Sequence, residues 1–449
     1  MLRTMQTVSA SRTGDRTEVA GQGSGKGRLG VTTGVLLAVA LLAGVALSGT
    51  GSQVRAASST PTITVLTGPS RSEYDVVETI AERWNTTHDQ FHVKVEMIPE
   101  GSVAEQIFLV RLAGGTPPDL YTAMAAGPMV GFSQDGALLA LDQFKDYWTV
   151  LQQRSSDNIA RTYRMRDGHY YLVPWQAEIT MIEYNRDLLD EIGWGTFPAT
   201  YSQFFDLSEK LVPRKIASID VWMNEAWDAR IGDFYVFYLA ASGGRTLIRN
   251  GRAAFDNDYA RAVFQFFTTA VQRKFTPQTP ITGDGFLQGK ILTQRFGQGA
   301  LPQYTQAKFH WQVSPILVPD DYKGPDPPYT YFNMKGLSIP RTAAHPQQAW
   351  EFLKYMIQEE GDLVLLQTGR FPVREDLVGN KTFTNWFRQN PLAIPFAMNM
   401  AHTRGLDLIP NTQEVFRAIS EEFVASVTGK KSVSSALQSA VERVDKLLF

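Results

Sequence analysis

From Thr62 onward the chain alternates short β-branched runs with amphipathic helical stretches, and this alternation restricts it to few architectures. Ile63 to Leu66 reads as a strand. Asp75 to Trp84 then places Val76, Val77, Ile80 and Trp84 at helical spacing. Phe91 to Met97 alternates as a half-buried strand does, and Ala104 to Leu112 is helical again until Gly114, Gly115, Thr116, Pro117 and Pro118 break it. Such a series builds a parallel sheet covered by helices. Ligands of these sheets sit in the crevice at the carboxyl ends of the strands. The loop Thr67–Ser72, with Gly68 and Ser70, is therefore expected to border that crevice. Further on, Ile179 to Tyr184 reads as a strand, and 204–211, 260–271, 348–358 and 433–448 read as helices. A helix is also expected over 234–241. Pro325, Pro327 and Pro328 mark a connection.

A chain of 449 residues is too long for one ordinary core and implies two domains. Its 43% hydrophobic and 20% charged residues are those of a globular protein. A net charge of −2 leaves no electrostatic footprint for nucleic acid. The absence of cysteine excludes thiol catalysis, Cys–metal sites, disulfides and a lipidated cysteine anchor.

The N-terminal segment carries an export signature. A polar, basic stretch ending Lys26, Gly27, Arg28, Leu29 precedes an apolar run from Gly30 to Gly49, and Val54, Arg55 and Ala56 follow. The run is also nearly long enough to span a bilayer, for which about 20 residues suffice. Residues 1–56 are thus read as a cleaved signal peptide or an uncleaved membrane anchor. The upstream charge places the remainder outside the cytoplasm. Gly21, Gly23, Gly25, Lys26 and Gly27 have the composition of a phosphate loop, but no strand precedes them.

Four blocks carry a family likeness. They are Leu112–Leu120, ending Gly-Thr-Pro-Pro-Asp and followed by Gly136–Asp142; Asp167–Asp187; Pro340–Met356; and Gly369–Arg374, with a C-terminal helix after Gly429. In their order, over residues 62–449, the chain resembles family 1 extracellular solute-binding proteins, the maltose-binding-protein-like group of bacterial ABC importers. The resemblance implies an α/β, two-lobed periplasmic-binding-protein fold of type 2, with a hinge and a central ligand cleft. It divides the chain into lobe 1 (61–175 with 326–373) and lobe 2 (176–325 with 374–449). Hinge crossings are expected near Pro174–Glu178, Gly324–Tyr329 and Phe371–Asp376. It also implies a monomer that needs no cofactor or metal, captures a small solute such as a sugar, and docks closed on membrane permease subunits.

A sugar site needs fixed donors and acceptors for hydroxyls and a flat aromatic for the C–H face. Trp175 and Glu178 fall at the first expected crossing. Trp222, Glu225 and Trp227 form an aromatic–acidic cluster in a polar loop, readable as a sugar platform or as a buried corner. Tyr304, Tyr331, Phe332 and Asn333 fall where the resemblance places second-lobe and hinge contacts. Met124 stands where some members carry an acid that grips hydroxyls, which argues against maltose-type specificity. Arg370 and Arg374 flank Pro372 and are read as cleft or inter-lobe residues. Asp119 reads as structural and Trp311 as core. His88 and His92 do not share a helical face, so metal binding there is not expected. Asp256, Asn257 and Asp258 read as a helix cap. No nucleophile elbow or His-Glu-x-x-His motif supports a secreted hydrolase. An anchored ligand sensor would share the same fold.

Overall fold

A computed structural model of the chain describes residues 60–155, 157–224, 226–409 and 411–448. The export segment expected over residues 1–56 lies outside the described residues. Among those described, no helix is long and apolar enough to cross a membrane.

The strands are β1 Thr62–Thr67, β2 His92–Met97, β3 Leu120–Ala125, β4 Val173–Ile179, β5 Met181–Asn185, β6 Ile248–Arg249, β7 Arg252–Ala253, β8 Thr293–Phe296, β9 Trp311–Ser314, β10 Thr330–Ser338, β11 Phe371–Pro372 and β12 Thr403–Arg404. A large sheet runs β11-β4-β10-β3-β1-β2, with β12 paired to β10; a small sheet runs β8-β5-β9; β6 and β7 form a hairpin. β1 pairs in parallel with both β2 and β3, as the strand–helix alternation requires. β10 runs antiparallel to β3 and β4.

The large sheet carries a core on each face. Ile63, Val65, Val76, Ile80, Trp84, Leu337 and Trp350 pack in one. Leu66, Tyr121, Met129, Phe332, Met334, Phe371 and Phe396 pack in the other. The helix Arg71–Thr87 covers the first core because Val76, Val77, Ile80, Ala81 and Trp84 recur at three- and four-residue steps. Around the small sheet, Ile182 and Tyr184 pack with apolar residues of the helices Tyr201–Leu211, Asp258–Gln272, Thr412–Val427 and Val433–Leu448. Asn257 caps the helix Asp258–Gln272 by accepting from Ala260 N at 3.0 Å, as its position before that helix led one to expect.

The sequence reads one strand over Ile179–Tyr184; the molecule has two, interrupted at Thr180. Thr180 N donates to Tyr331 O at 2.9 Å, and Thr330 Oγ1 donates to Thr180 O at 2.5 Å. Two neighbouring chain segments thus pass from the large sheet toward the small one side by side. The expected helix over 234–241 is in fact a π turn, Ile231–Tyr235, continued by an α-helix, Val236–Ser242.

The expected third crossing at Phe371–Asp376 is displaced. Phe383, Phe387, Phe396 and Met400 pack with the large sheet. Only from Leu406 and Ile409 do side chains join the small-sheet core. The physical cause is a buried ion cluster. Asp362 accepts from Arg154 Nη2 at 3.1 Å and from Arg374 Nη1 at 3.2 Å, and Arg154 also donates to Ile357 O at 2.5 Å. Arg374 is therefore neither a cleft residue nor an inter-lobe bridge; it staples the segment after Pro372 to the large-sheet half. Replacing Asp362 by Ala would leave the enclosed Arg154 guanidinium without its carboxylate partner, whereas Arg374 would keep Asp376 at 2.8 and 2.9 Å. We expect a loss of about 3–5 kcal/mol in urea unfolding; a loss under about 1 kcal/mol would contradict this role.

Candidate ligand-binding site

At the carboxyl end of β1 the chain turns through Gly68 and Ser70 into the helix Arg71–Thr87, whose first turn carries Glu73. Glu73 is fully buried. Its carboxylate accepts from Gly68 N (3.3 Å), Thr122 Oγ1 (2.9 Å), Gln176 Nε2 (3.2 Å), Lys335 Nζ (3.3 Å) and Arg370 Nη1 (3.4 Å). Arg370 Nη2 reaches Ser70 and Ser72 hydroxyls, each at 2.9 Å. One buried acid so fixes two cations and an amide drawn from three segments. A side chain on Gly68 would meet Ala123 Cβ at 2.9 Å, so this close approach needs a glycine.

These groups floor a cleft of about 400 Å³ lined by Ser72, Gln176, Glu178, Gln298, Gly299, Asn333, Lys335 and Arg370, among others. The pleat explains the set. On β10, Phe332 and Met334 point into the core, while Asn333 and Lys335 between them face the cleft. On β4, Ala177 and Ile179 face the same core and Gln176 and Glu178 the cleft. An ammonium has three donors, and Glu73 occupies one of those on Lys335. Asn333 adds an amide and Glu178 a carboxylate. Burial pushes the Glu178 carboxyl up, opposed by the Arg370 and Lys335 charges. A carboxylate, an amide and an ammonium on one concave floor can grip adjacent hydroxyls with both donors and acceptors.

The structure thus gathers Gly68, Ser70, Glu178, Asn333 and Arg370 at one place. It removes four other expected residues. Trp175 is 0% exposed: the β4–β10 register slips between Lys335 and Gly336, beside Trp175, which packs with Val173, Leu337 and Trp350. Phe332 points opposite to Asn333, as neighbours on a strand must. Met124 is buried in the large-sheet core. Tyr304 is buried among Phe286 and Trp311, the latter core as expected. Tyr331 is partly buried against the small-sheet core. Asp119 is structural, accepting from Thr64 N and His345 N. His88 stacks on Trp84 at 3.9 Å.

Glu225 lies outside the described residues. Trp227 packs half-buried on the small-sheet core. Trp222 is 37% exposed and lines, with Asp220, Asp284, Arg295 and Phe296, a second cavity of about 260 Å³. Its backbone is pinned: Trp222 N donates to Asp233 Oδ2 at 3.1 Å, and Arg230 donates to Trp222 O. Asp233 pairs with Arg230 and Arg295, and Arg295 Nη2 holds Asp220 O at 2.9 Å. Burial raises the Asp233 carboxyl, against the pull of both arginines.

Sequence reading missed Glu73, Gln176, Gln298 and Lys335. Glu73 did leave a signal, since it shares the helical face of Val76, Val77, Ile80 and Trp84, where a charge has no business without a partner. Lys335 follows Asn333 by two in an alternating strand. Gln298 left none.

The family described as bacterial extracellular solute-binding protein matches residues 79–391. The maltotriose-binding protein of Pyrococcus abyssi is 20% identical over 342 residues, 74% of this chain and 70% of that protein. An uncharacterized Listeria monocytogenes protein superposes with a TM-score of 0.81 at 21% identity, covering 87% of this chain and 100% of that one. The cyclic alpha-maltosyl-1,6-maltose binding protein of Arthrobacter globiformis gives 0.75 at 18% identity, over 86% and 99%.

Two predictions follow from burial. Trp175→Ala should cost about 3–5 kcal/mol of stability, as for a core aromatic; an unchanged denaturation midpoint would restore it to the cleft. Glu183 is buried and accepts from Phe296 N at 3.0 Å, and burial holds its carboxyl well above the ordinary range. The native state therefore binds a proton that the unfolded state releases at lower pH, and stability falls as pH rises from about 4.3 through the raised value. Glu183→Gln should gain stability over the wild type across that window and hold the gain above it. Parallel pH profiles would contradict this. By its family match, and with the fold shared by these solved structures, the chain belongs to the bacterial extracellular solute-binding proteins, which are two-lobed binding proteins and not enzymes.

Proposed function

We propose that the protein captures a carbohydrate or related hydroxyl-rich solute in the cleft between the two sheets and presents it to the permease subunits of an ABC importer. The observation that carries this reading is the convergence of Glu178, Asn333, Lys335 and Arg370 on a cleft floored by one buried carboxylate. Such a floor is fixed before the solute arrives, so little ordering cost falls on binding. Two similar proteins are named for maltotriose and for cyclic alpha-maltosyl-1,6-maltose, which favours an oligosaccharide. The exposed face of Trp222, beside Phe296, is the aromatic surface available to the C–H side of a sugar.

The two halves are proposed to act as lobes that close about Thr180 and Thr330–Tyr331, with a third strand of chain passing near Thr403–Gly405. A solute touching both halves would favour the closed form. Export or anchoring through residues 1–56 would place this capture outside the cytoplasm.

Thermal melting against malto-oligosaccharides, cyclic glucans and polyols, then calorimetry, tests the proposal. At least one member should raise the midpoint. Lys335→Ala and Asn333→Ala should each weaken that binding by about 1–3 kcal/mol, roughly ten- to hundredfold; Asn333→Ala should leave folding nearly unchanged, while Lys335→Ala should also lower stability because buried Glu73 loses an ion pair. A panel without a hit, or variants that bind as the wild type does, would contradict it.

A further inference from the structure

We infer that the turn Gly297–Gly299, which leaves β8 of the small sheet, is a clamp that seats Glu178 and ties the small-sheet half to β4. The inference uses the proposed cleft function in one respect, that Glu178 touches solute. Gln298 is 1% exposed. Its Oε1 accepts from Ile179 N at 2.8 Å, and its Nε2 donates to Ala177 O at 2.5 Å. A side chain from beyond the small sheet thus completes the backbone hydrogen bonding of the strand that leads into the crossing at Thr180.

The flanking glycines serve the adjacent side chain. A Cβ on Gly297 would stand 2.1 Å from Glu178 Cγ, and one on Gly299 would stand 2.6 Å from Glu178 Oε1. Gly297 has φ of −94°, a value open to any residue, so space and not backbone conformation demands the glycine. From the other side, Glu183 of β5 holds Phe296 N at 3.0 Å. The turn is therefore gripped by residues on both sides of the crossing. Arg295, Lys335, Arg370, Tyr331 and Tyr304 are the other charged and titratable neighbours of the two carboxylates among the described residues.

Two consequences follow. The clamp is a pivot: rotation of one half against the other must carry the turn with β4 or break both Gln298 bonds. And Glu178 does not choose its orientation freely; the notch directs it, so the seat of the solute-facing carboxylate reports the position of the small-sheet half. Gln298 is in this sense a positioning residue, and Gly297 and Gly299 are the space that Glu178 needs.

The test requires no solute. The chain has no cysteine, so spin labels can be placed by Glu82→Cys and Asp206→Cys, both on exposed helix positions, one in each half. Electron–electron distance measurement on the unliganded protein should show Gly297→Ala shifting or broadening the wild-type distribution, since the atom it meets is Glu178 Cγ, next to the backbone. Adding Glu178→Ala should restore it, because truncation removes the clash. Gln298→Ala should broaden the distribution, and Glu178→Ala should not repair that. If Gly297→Ala does not fold, recovery of folding by Glu178→Ala is the same test. A Gly297→Ala distribution identical to wild type, or a double variant that recovers neither distances nor folding, overturns the clamp. Failure to find a sugar would sink the proposed function and leave these distances standing; normal sugar binding with unaltered distances would do the reverse.

Discussion

Glu73 is an ionised side chain placed where helix packing wants an apolar one, and the cleft depends on it. A buried carboxylate is costly unless its lone pairs are filled. Here five donors fill them, from the β1 loop, β3, β4, β10 and the segment after the helix Glu359–Gln367. None of these segments is adjacent in sequence to all the others. The carboxylate therefore does two things at once: it ties β3, β4 and β10 to the loop after β1, and it leaves Lys335 and Arg370 standing at the floor of the cleft with their positions set. The small-sheet half has a counterpart in Asp233, which is shared by Arg230 and Arg295 and fixes the backbone at Trp222 and Asp220. Each of the two cavities is thus bordered by groups that one enclosed acid holds in place.

The fold was readable where periodicity was strong. The β1–helix–β2–helix series, the helices near 201–211 and 258–272, and the C-terminal helix all follow from apolar spacing that tertiary packing then used. The break at Thr180 was not readable, because Ile179 and the apolar Met181 and Ile182 flank a single β-branched residue with no Gly or Pro between them, and their burial on different sheets leaves no mark in composition. The displaced third crossing was hidden for another reason. It is set by the Arg154–Asp362–Arg374 cluster, in which Arg154 lies 208 residues from Asp362, and no local pattern can show that pairing.

The site was legible through its polar members and misread through its aromatic ones. Glu178, Asn333 and Arg370 stand in the cleft; Trp175, Tyr304 and Phe332 stand in cores. Large aromatics are both good core residues and good sugar surfaces, so identity alone does not separate the two uses. Strand alternation does separate them for Phe332 and Asn333, which cannot share a face. For Trp175 even alternation fails, since the register slip beside it is a property of the paired strand. Trp222 differs in having its ring at the surface while its backbone is held from beneath.

The central claim is that a solute is gripped on the Glu73-supported floor between the halves. Hydrogen exchange measured by mass spectrometry, with and without the best-binding carbohydrate at saturation, tests it most directly. The account predicts slowed exchange concentrated in β4 at Val173–Ile179, β10 at Thr330–Ser338 and the turn Phe296–Gly299. A separate groove of the large-sheet half, lined by Trp84, His88, Gln347, Tyr355 and Gln358, should be unchanged. Protection confined to that groove, or saturation with no protection on β4 and β10, would contradict it.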